Sequence, residues 1–190
     1  MQEIVRKYFE ESVEVARDSL ALSSVVTEAA ERMVTALKGG RRILVCGNGG
    51  SAADAQHFAC ELVGRFETDR TALPCIALTT DTSILTAVSN DTGYDSVFAR
   101  QVRALGSPGD VLIGISTSGN SASVERALAE GASKGMSLVA LIGKGGGRIG
   151  AIENACRIVV PSSRTSTIQQ VHLMILHAWA RVIDEAYRGA

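Results

Sequence analysis

Five short apolar runs, at residues 43–46, 75–78, 111–115, 138–142 and 158–160, recur along the chain with helix-patterned stretches between them. The runs are dominated by Val, Ile and Leu and show no polar–apolar alternation, as expected of strands buried on both faces. The intervening segments at 52–65, 83–89, 96–105 and 122–134 carry apolar residues at helical spacing, and a last amphipathic helix runs from about 168 to 187. Parallel strands cannot be joined by tight hairpins and need crossovers of about this length, so the alternation dictates a parallel sheet covered by helices on both sides. In such sheets ligands collect beyond the C-terminal strand ends.

Ahead of this α/β domain, residues 2–37 contain neither Gly nor Pro and end at Gly39-Gly40. Ile4, Tyr8 and Val15 line one flank of a first helix, with Val5, Phe9, Val13, Ala16 and Leu20 beside them. A second helix, opened by Ser23 or Ser24, carries Val26, Ala29, Ala30, Met33 and Leu37. The first stripe is wider than one buried face needs. Residues 1–40 therefore read as a helical oligomerisation segment and 41–190 as the main domain, with packing on its own subunit as the competing reading.

The chain has 190 residues, with 19 basic against 20 acidic side chains and no run of one sign. That balance argues against a nucleic-acid groove working by bulk electrostatics. One Trp, three Tyr and four Phe offer few platforms for stacking bases. Cys46, Cys60, Cys75 and Cys156 form no CxxC pair, and three of them lie in or beside the strand-like runs, as buried reduced thiols do. There is neither a basic-then-apolar leader nor a run of membrane-spanning length, so a soluble cytoplasmic protein is expected.

Two strand ends are unusual. The first continues into Gly47-Asn48-Gly49-Gly50-Ser51 and the second into Ser116-Thr117-Ser118-Gly119-Asn120-Ser121, and each opens a helix. Glycines let backbone approach an anion, helix N-termini present unpaired N–H groups, and hydroxyls add neutral donors. Neither loop has the lysine of a nucleotide P-loop. Gly47-x-Gly49-x-x-Ala52 nearly matches a dinucleotide fingerprint, but Thr79-Thr80 stand where its acid belongs, with Asp81 after them. One such loop reads as a helix cap. Two of them opening neighbouring helices favour a phosphomonoester. His57 and Glu61 follow the first loop at a spacing of four, about 40° apart on a helix and so on one face. Alone they would read as a surface pair, and His177, in the apolar final helix, as a core histidine.

The chain resembles the sugar isomerase (SIS) domain family, and within it the phosphoheptose isomerases. The resemblance is carried by the stretches 46–61, 77–83 and 109–121, by Asn90-Asp91-x-Gly93, and by Ile168-Gln169-x-Val171-His172 with His177. It implies a flavodoxin-like three-layer sandwich around five parallel strands, assembled as a homotetramer. It implies that Asn48, Gly49, Gly50, Ser51, Ser116, Thr117, Ser118 and Ser121 hold a phosphorylated sugar, that Asn90 and Asp91 meet its hydroxyls, and that Glu61 and Gln169 touch it as well. It further implies that His57, Glu61, Gln169 and His177 bind one Zn²⁺ per subunit, with Glu61 and His177 serving proton transfer. The implied reaction turns D-sedoheptulose 7-phosphate into D-glycero-D-manno-heptose 7-phosphate, the first step towards heptose nucleotides.

That chemistry suits the residues. Ketose–aldose exchange moves a proton between C1 and C2 through an enediol, which one carboxylate can do, while an imidazole moves the hydroxyl proton. The family often has an Arg and a Glu where Thr167 and Gln170 stand, and Arg164 is the nearby cation that would replace the lost charge. Asp54 and His172 are left to packing or support, His172 pointing about 140° from His177 on a helix. A non-catalytic relative that binds a replication initiator protein is the alternative, but such members lack the carboxylate and histidine that stand here as Glu61 and His177. Gln169 and His177 differ by about 12 Å in height and about 80° in direction on one straight helix. Either Gln169 lies at a frayed helix start, or the metal takes ligands from two chains. The apolar N-terminal stripe favours the second, with active sites at subunit interfaces.

Overall fold

The computed structural model describes residues 1–188. Two helices, α1 (Gln2–Asp18) and α2 (Ser23–Lys38), precede β1 (Ile43–Gly47), α3 (Gly50–Val63), β2 (Cys75–Ala77), α4 (Thr82–Thr92) and α5 (Val97–Leu105). There follow β3 (Val111–Ser116), α6 (Ala122–Ser133), β4 (Ser137–Ile142), β5 (Ala155–Val159) and α7 (Thr165–Ala186). All strand pairs are parallel, in the order β2-β1-β3-β4-β5. The expected five-stranded α/β sandwich is what forms.

The central strands are buried on both faces, and the two layers have separate cores. On one side Met33 and Leu37 of α2, Phe58 and Leu62 of α3, and Leu176, Trp179 and Ile183 of α7 cover the sheet. On the other side Phe98 and Val102 of α5 meet Val124 and Leu128 of α6. The Trp179 indole donates to the Val26 carbonyl at 2.9 Å, so α2 is locked to α7 by apolar contact and by a satisfied polar edge. By contrast, α1 buries none of its residues: Ile4, Val5, Phe9 and Val13 remain 72, 52, 63 and 55% exposed.

The strand order reverses between β1 and β3, where Gly47 pairs with Ile115. Both unusual loops leave the sheet at this point, side by side, in the crevice that open α/β sheets use for ligands. Asp81 accepts from the Ile84 amide at 2.9 Å and caps α4, which gives it a structural task unrelated to a ribose. Cys46, Cys75 and Cys156 are buried, Cys60 is exposed, and all four are free. Burial pushes the Cys46 thiol up to about 12, so it stays protonated and inert.

Candidate active site

The glycine-rich turn after β1 starts α3 early. Gly49 has φ +58°, a left-handed conformation that disfavours a side chain, and Gly50 is already helical. A Cβ on Gly50 would overlap the Gln169 side-chain amide, so the head of α3 touches α7 through a residue that has no room for a methyl group. Across the crevice, Ser116 ends β3 almost fully buried and Ser121 sits at the N-cap of α6. The two loops are bonded to each other: the Asn48 amide donates to Ser121 Oγ at 2.7 Å and to Ser123 Oγ at 3.0 Å.

Two turns down α3, the second cluster forms. His57 Nε2 lies 2.9 Å from Glu61 Oε1 and 2.9 Å from His177 Nε2. Ligand atoms of these three residues all fall within 4.8 Å of one another. The His57 nitrogen has one proton at most and cannot satisfy both neighbours as a donor, so this is a convergence of lone pairs on one point. Two imidazoles and a carboxylate are the donor set of a three-ligand catalytic site for Zn²⁺ or a similar borderline cation, and the residues fit such an ion. Phe66 stacks on the His177 ring, with centroids 5.4 Å apart and planes at 25°, and holds it towards α3.

His57, Glu61 and His177 thus meet within one chain, because α3 and α7 pack together on the same face of the sheet. No second chain is needed to bring them together. The Gln169 side-chain amide lies against Gly50, at the head of α3. Gln169 does not lie at a frayed end, since α7 starts at Thr165. Asn90 and Asp91 occupy the last turn of α4, where the Asn90 amide donates to Asp91 Oδ1 at 3.0 Å.

Arg164 does not supply the missing charge. Its guanidinium pairs with Glu11 and lies over the Tyr8 ring at 5.6 Å, so its charge is spent on α1. Gln170 donates to the same Tyr8 hydroxyl at 3.0 Å. Thr167 is buried and bonded to the Arg164 carbonyl and Ser162 Oγ, closing the first turn of α7. Of the two family departures, Gln170 therefore serves the join between α1 and α7, and Thr167 the first turn of α7. His172 is fully buried against the Ile142 carbonyl, as its helix angle implied. Asp54 has a buried oxygen without a partner, and burial pushes its carboxyl up to about 6, against the pull of His57.

Some contributors lie outside the residues singled out by sequence. Tyr94 donates to Asn48 Oδ1 at 2.7 Å, Ser123 joins the loop network, Phe66 braces His177, and Arg70 holds the α3 carboxyl end through the Glu61 carbonyl at 2.7 Å. Only Tyr94 had a pointer, its place directly after the Asn90-Asp91-x-Gly93 motif.

The SIS domain family model matches residues 7–143. A phosphoheptose isomerase of Bordetella avium is 51% identical over 185 residues, covering 96% of this chain and 94% of the relative. One from Shewanella denitrificans is 48% identical over 187 residues, covering 97% and 95%. The solved phosphoheptose isomerase of Neisseria gonorrhoeae superposes with a TM-score of 0.92 at 46% identity, covering 97% of this chain and 98% of that one. The likeness thus takes in α7, which lies outside the family model and carries Gln169 and His177.

Proposed function

The chain belongs to the SIS domain family, and from that premise we infer that it is a phosphoheptose isomerase, an aldose–ketose isomerase converting D-sedoheptulose 7-phosphate to D-glycero-D-manno-heptose 7-phosphate. The observation that carries this reading is the meeting of His177 of α7 with His57 and Glu61 on α3, the helix that opens with the first phosphate-type loop. An adaptor that only binds a protein partner has no use for such a cluster.

In this reading the phosphate is held where β1 and β3 end, by backbone N–H groups of Gly49 and Gly50 and by the hydroxyls of Ser51, Ser116, Thr117, Ser118 and Ser121. Asn90 and Asp91 meet the sugar hydroxyls. Glu61 takes a proton from C1 of the ketose and returns it to C2, and His177 moves the hydroxyl proton from O1 to O2, so the isomers exchange with no net proton change. Glu61 Oε1 faces His57, which leaves Oε2 for the carbon proton. A divalent cation, Zn²⁺ by donor type, would be held by His57, Glu61 and His177 and would supply electrostatic stabilisation of the charge on the sugar oxygens. Gln169, against Gly50 at the loop end of the α3–α7 seam, is assigned to the substrate, with ligation as its second role.

The proposed assembly is a homotetramer with residues 1–40 as its contact segment. A groove of about 520 Å³ between α1 and α7 is lined by Phe9, Val13, Ala16, Val171 and Met174 and runs to His177, so an interface there would border the active site. Among the described residues no helix is long and apolar enough to cross a membrane, which agrees with the cytoplasmic location proposed. The decisive experiment is an isomerisation assay on sedoheptulose 7-phosphate with metal analysis of the same sample. Glu61→Gln and His177→Gln should each lower kcat by at least about 10²-fold. Wild-type protein that carries metal and does not interconvert the two heptose phosphates would end this reading.

A further inference from the structure

We propose that Tyr94 is a positioning residue for phosphate binding, aiming the Ser121 hydroxyl proton at the substrate through the Asn48 amide; this rests on the phosphate site assigned above. Tyr94 belongs to a short turn after α4 and approaches the crevice from the α4 side, away from both loops in sequence. Its hydroxyl donates to Asn48 Oδ1 at 2.7 Å. The other end of that amide donates to Ser121 Oγ at 2.7 Å and to Ser123 Oγ at 3.0 Å.

The direction of these bonds matters. An amide NH₂ has two protons, and both are committed to serine oxygens, while the amide oxygen takes the phenol proton. The Asn48 side chain is therefore occupied within the protein and acts on a ligand through its neighbours. Ser121 accepts from Asn48, so its own proton must go elsewhere. Ser123 Oγ is the other protein oxygen near it, but at 3.3 Å it lies beyond the roughly 2.5–3.0 Å of a good O–H···O bond and is a weak acceptor for that proton. The open direction is the crevice, where a phosphate oxygen would take the proton. Donors set in one sense along such a chain polarise one another. The same phenol ties the turn that follows Asn90 and Asp91 to the loop at Asn48, fixing the span between the hydroxyl-reading and phosphate-reading ends of the site.

Tyr94→Phe tests this, because the ring can keep its edge contact with Phe98 at 6.4 Å while only the hydroxyl is lost. One neutral hydrogen bond corresponds to about a three- to tenfold effect. KM for sedoheptulose 7-phosphate should rise by that factor with kcat close to wild type, since phosphate is held alike before and during the reaction. Titration calorimetry with inorganic phosphate should show Kd weakened equally. In a Ser121→Ala background, Tyr94→Phe should add nothing to either value. Unchanged KM and phosphate Kd in Tyr94→Phe, or an effect that persists undiminished without the Ser121 hydroxyl, would overturn the proposal. Phosphate binding is read without turnover, so a wild-type protein that binds phosphate but fails to isomerise would count against the functional reading alone.

Discussion

The Arg70 guanidinium and the Asp184 carboxylate meet at 2.7 Å with side chains 0 and 2% exposed. Neither is left with this one partner. Asp184 also accepts from the Glu67 and Thr68 amides at 2.9 and 3.0 Å, while Arg70 donates to the carbonyls of Glu61, Leu62 and Thr71. The pair thus ties α7 to the end of α3 and pins the segment that carries Phe66 against His177.

Removing one member leaves the other charge buried, at a cost of about 3–5 kcal/mol. Asp184→Ala should lose stability of that order in urea unfolding, and Asp184→Asn less, because it keeps a neutral acceptor. The folded variants should also lose turnover, since Glu61 and His177 are both held through this knot. A loss of under about 1 kcal/mol in Asp184→Ala would mean that the pair is not the anchor its burial suggests.

Much of this fold was legible in the chain because buried parallel strands leave continuous apolar runs. β5 was the exception. The sequence placed it at 158–160, whereas it spans Ala155–Val159, because it is an edge strand whose exposed Arg157 breaks the run. The start of α7 was placed at about 168 instead of Thr165, since Thr165-Ser166-Thr167 are poor helix formers taken in the first turn by hydroxyl–backbone bonding. In the site, His57 and Glu61 declare themselves by spacing. Phe66, Arg70 and Tyr94 come from connecting segments and turns whose positions only tertiary packing decides.

His172 gives the chain a pH response of its own. Burial pushes its imidazole down from 6.5 to about 4, with the Ile142 carbonyl opposing. Above pH 6.5 both folded and unfolded chains keep it neutral. As pH falls from about 6.5 to about 4, the unfolded chain binds a proton that the folded chain refuses, so stability falls, by about 3 kcal/mol in order of magnitude. His172→Leu should flatten this part of the stability profile in urea titrations between pH 7 and 4.5. An identical slope in the variant would show that the imidazole titrates alike in both states.

The bare face of α1 should be where subunits meet. A 17-residue helix with no fully buried residue is only loosely anchored, and four large apolar side chains on its surface are more than a monomer ordinarily leaves in water. Phe9→Ser combined with Val13→Glu should lower the assembly state in sedimentation velocity while α2 and the sheet stay folded. An assembly unchanged by both substitutions would put the interface elsewhere.

Because His57, Glu61 and His177 converge in one chain, subunits carrying Glu61→Gln and subunits carrying His177→Gln should not repair each other. Each mixed assembly still contains only sites with one missing group, whatever the interface contributes beside them. Mixing the two variants, with subunit exchange verified by mass, should therefore yield no activity above the parents. Phe9→Ser behaves differently in this scheme. It leaves all three residues of the cluster in place, so wild-type partners can restore any activity lost through a loosened groove next to His177. Recovery in the first mixture would mean that Glu61 of one subunit works with His177 of another, and that the 2.9 Å approach of His57 to His177 is not the working arrangement.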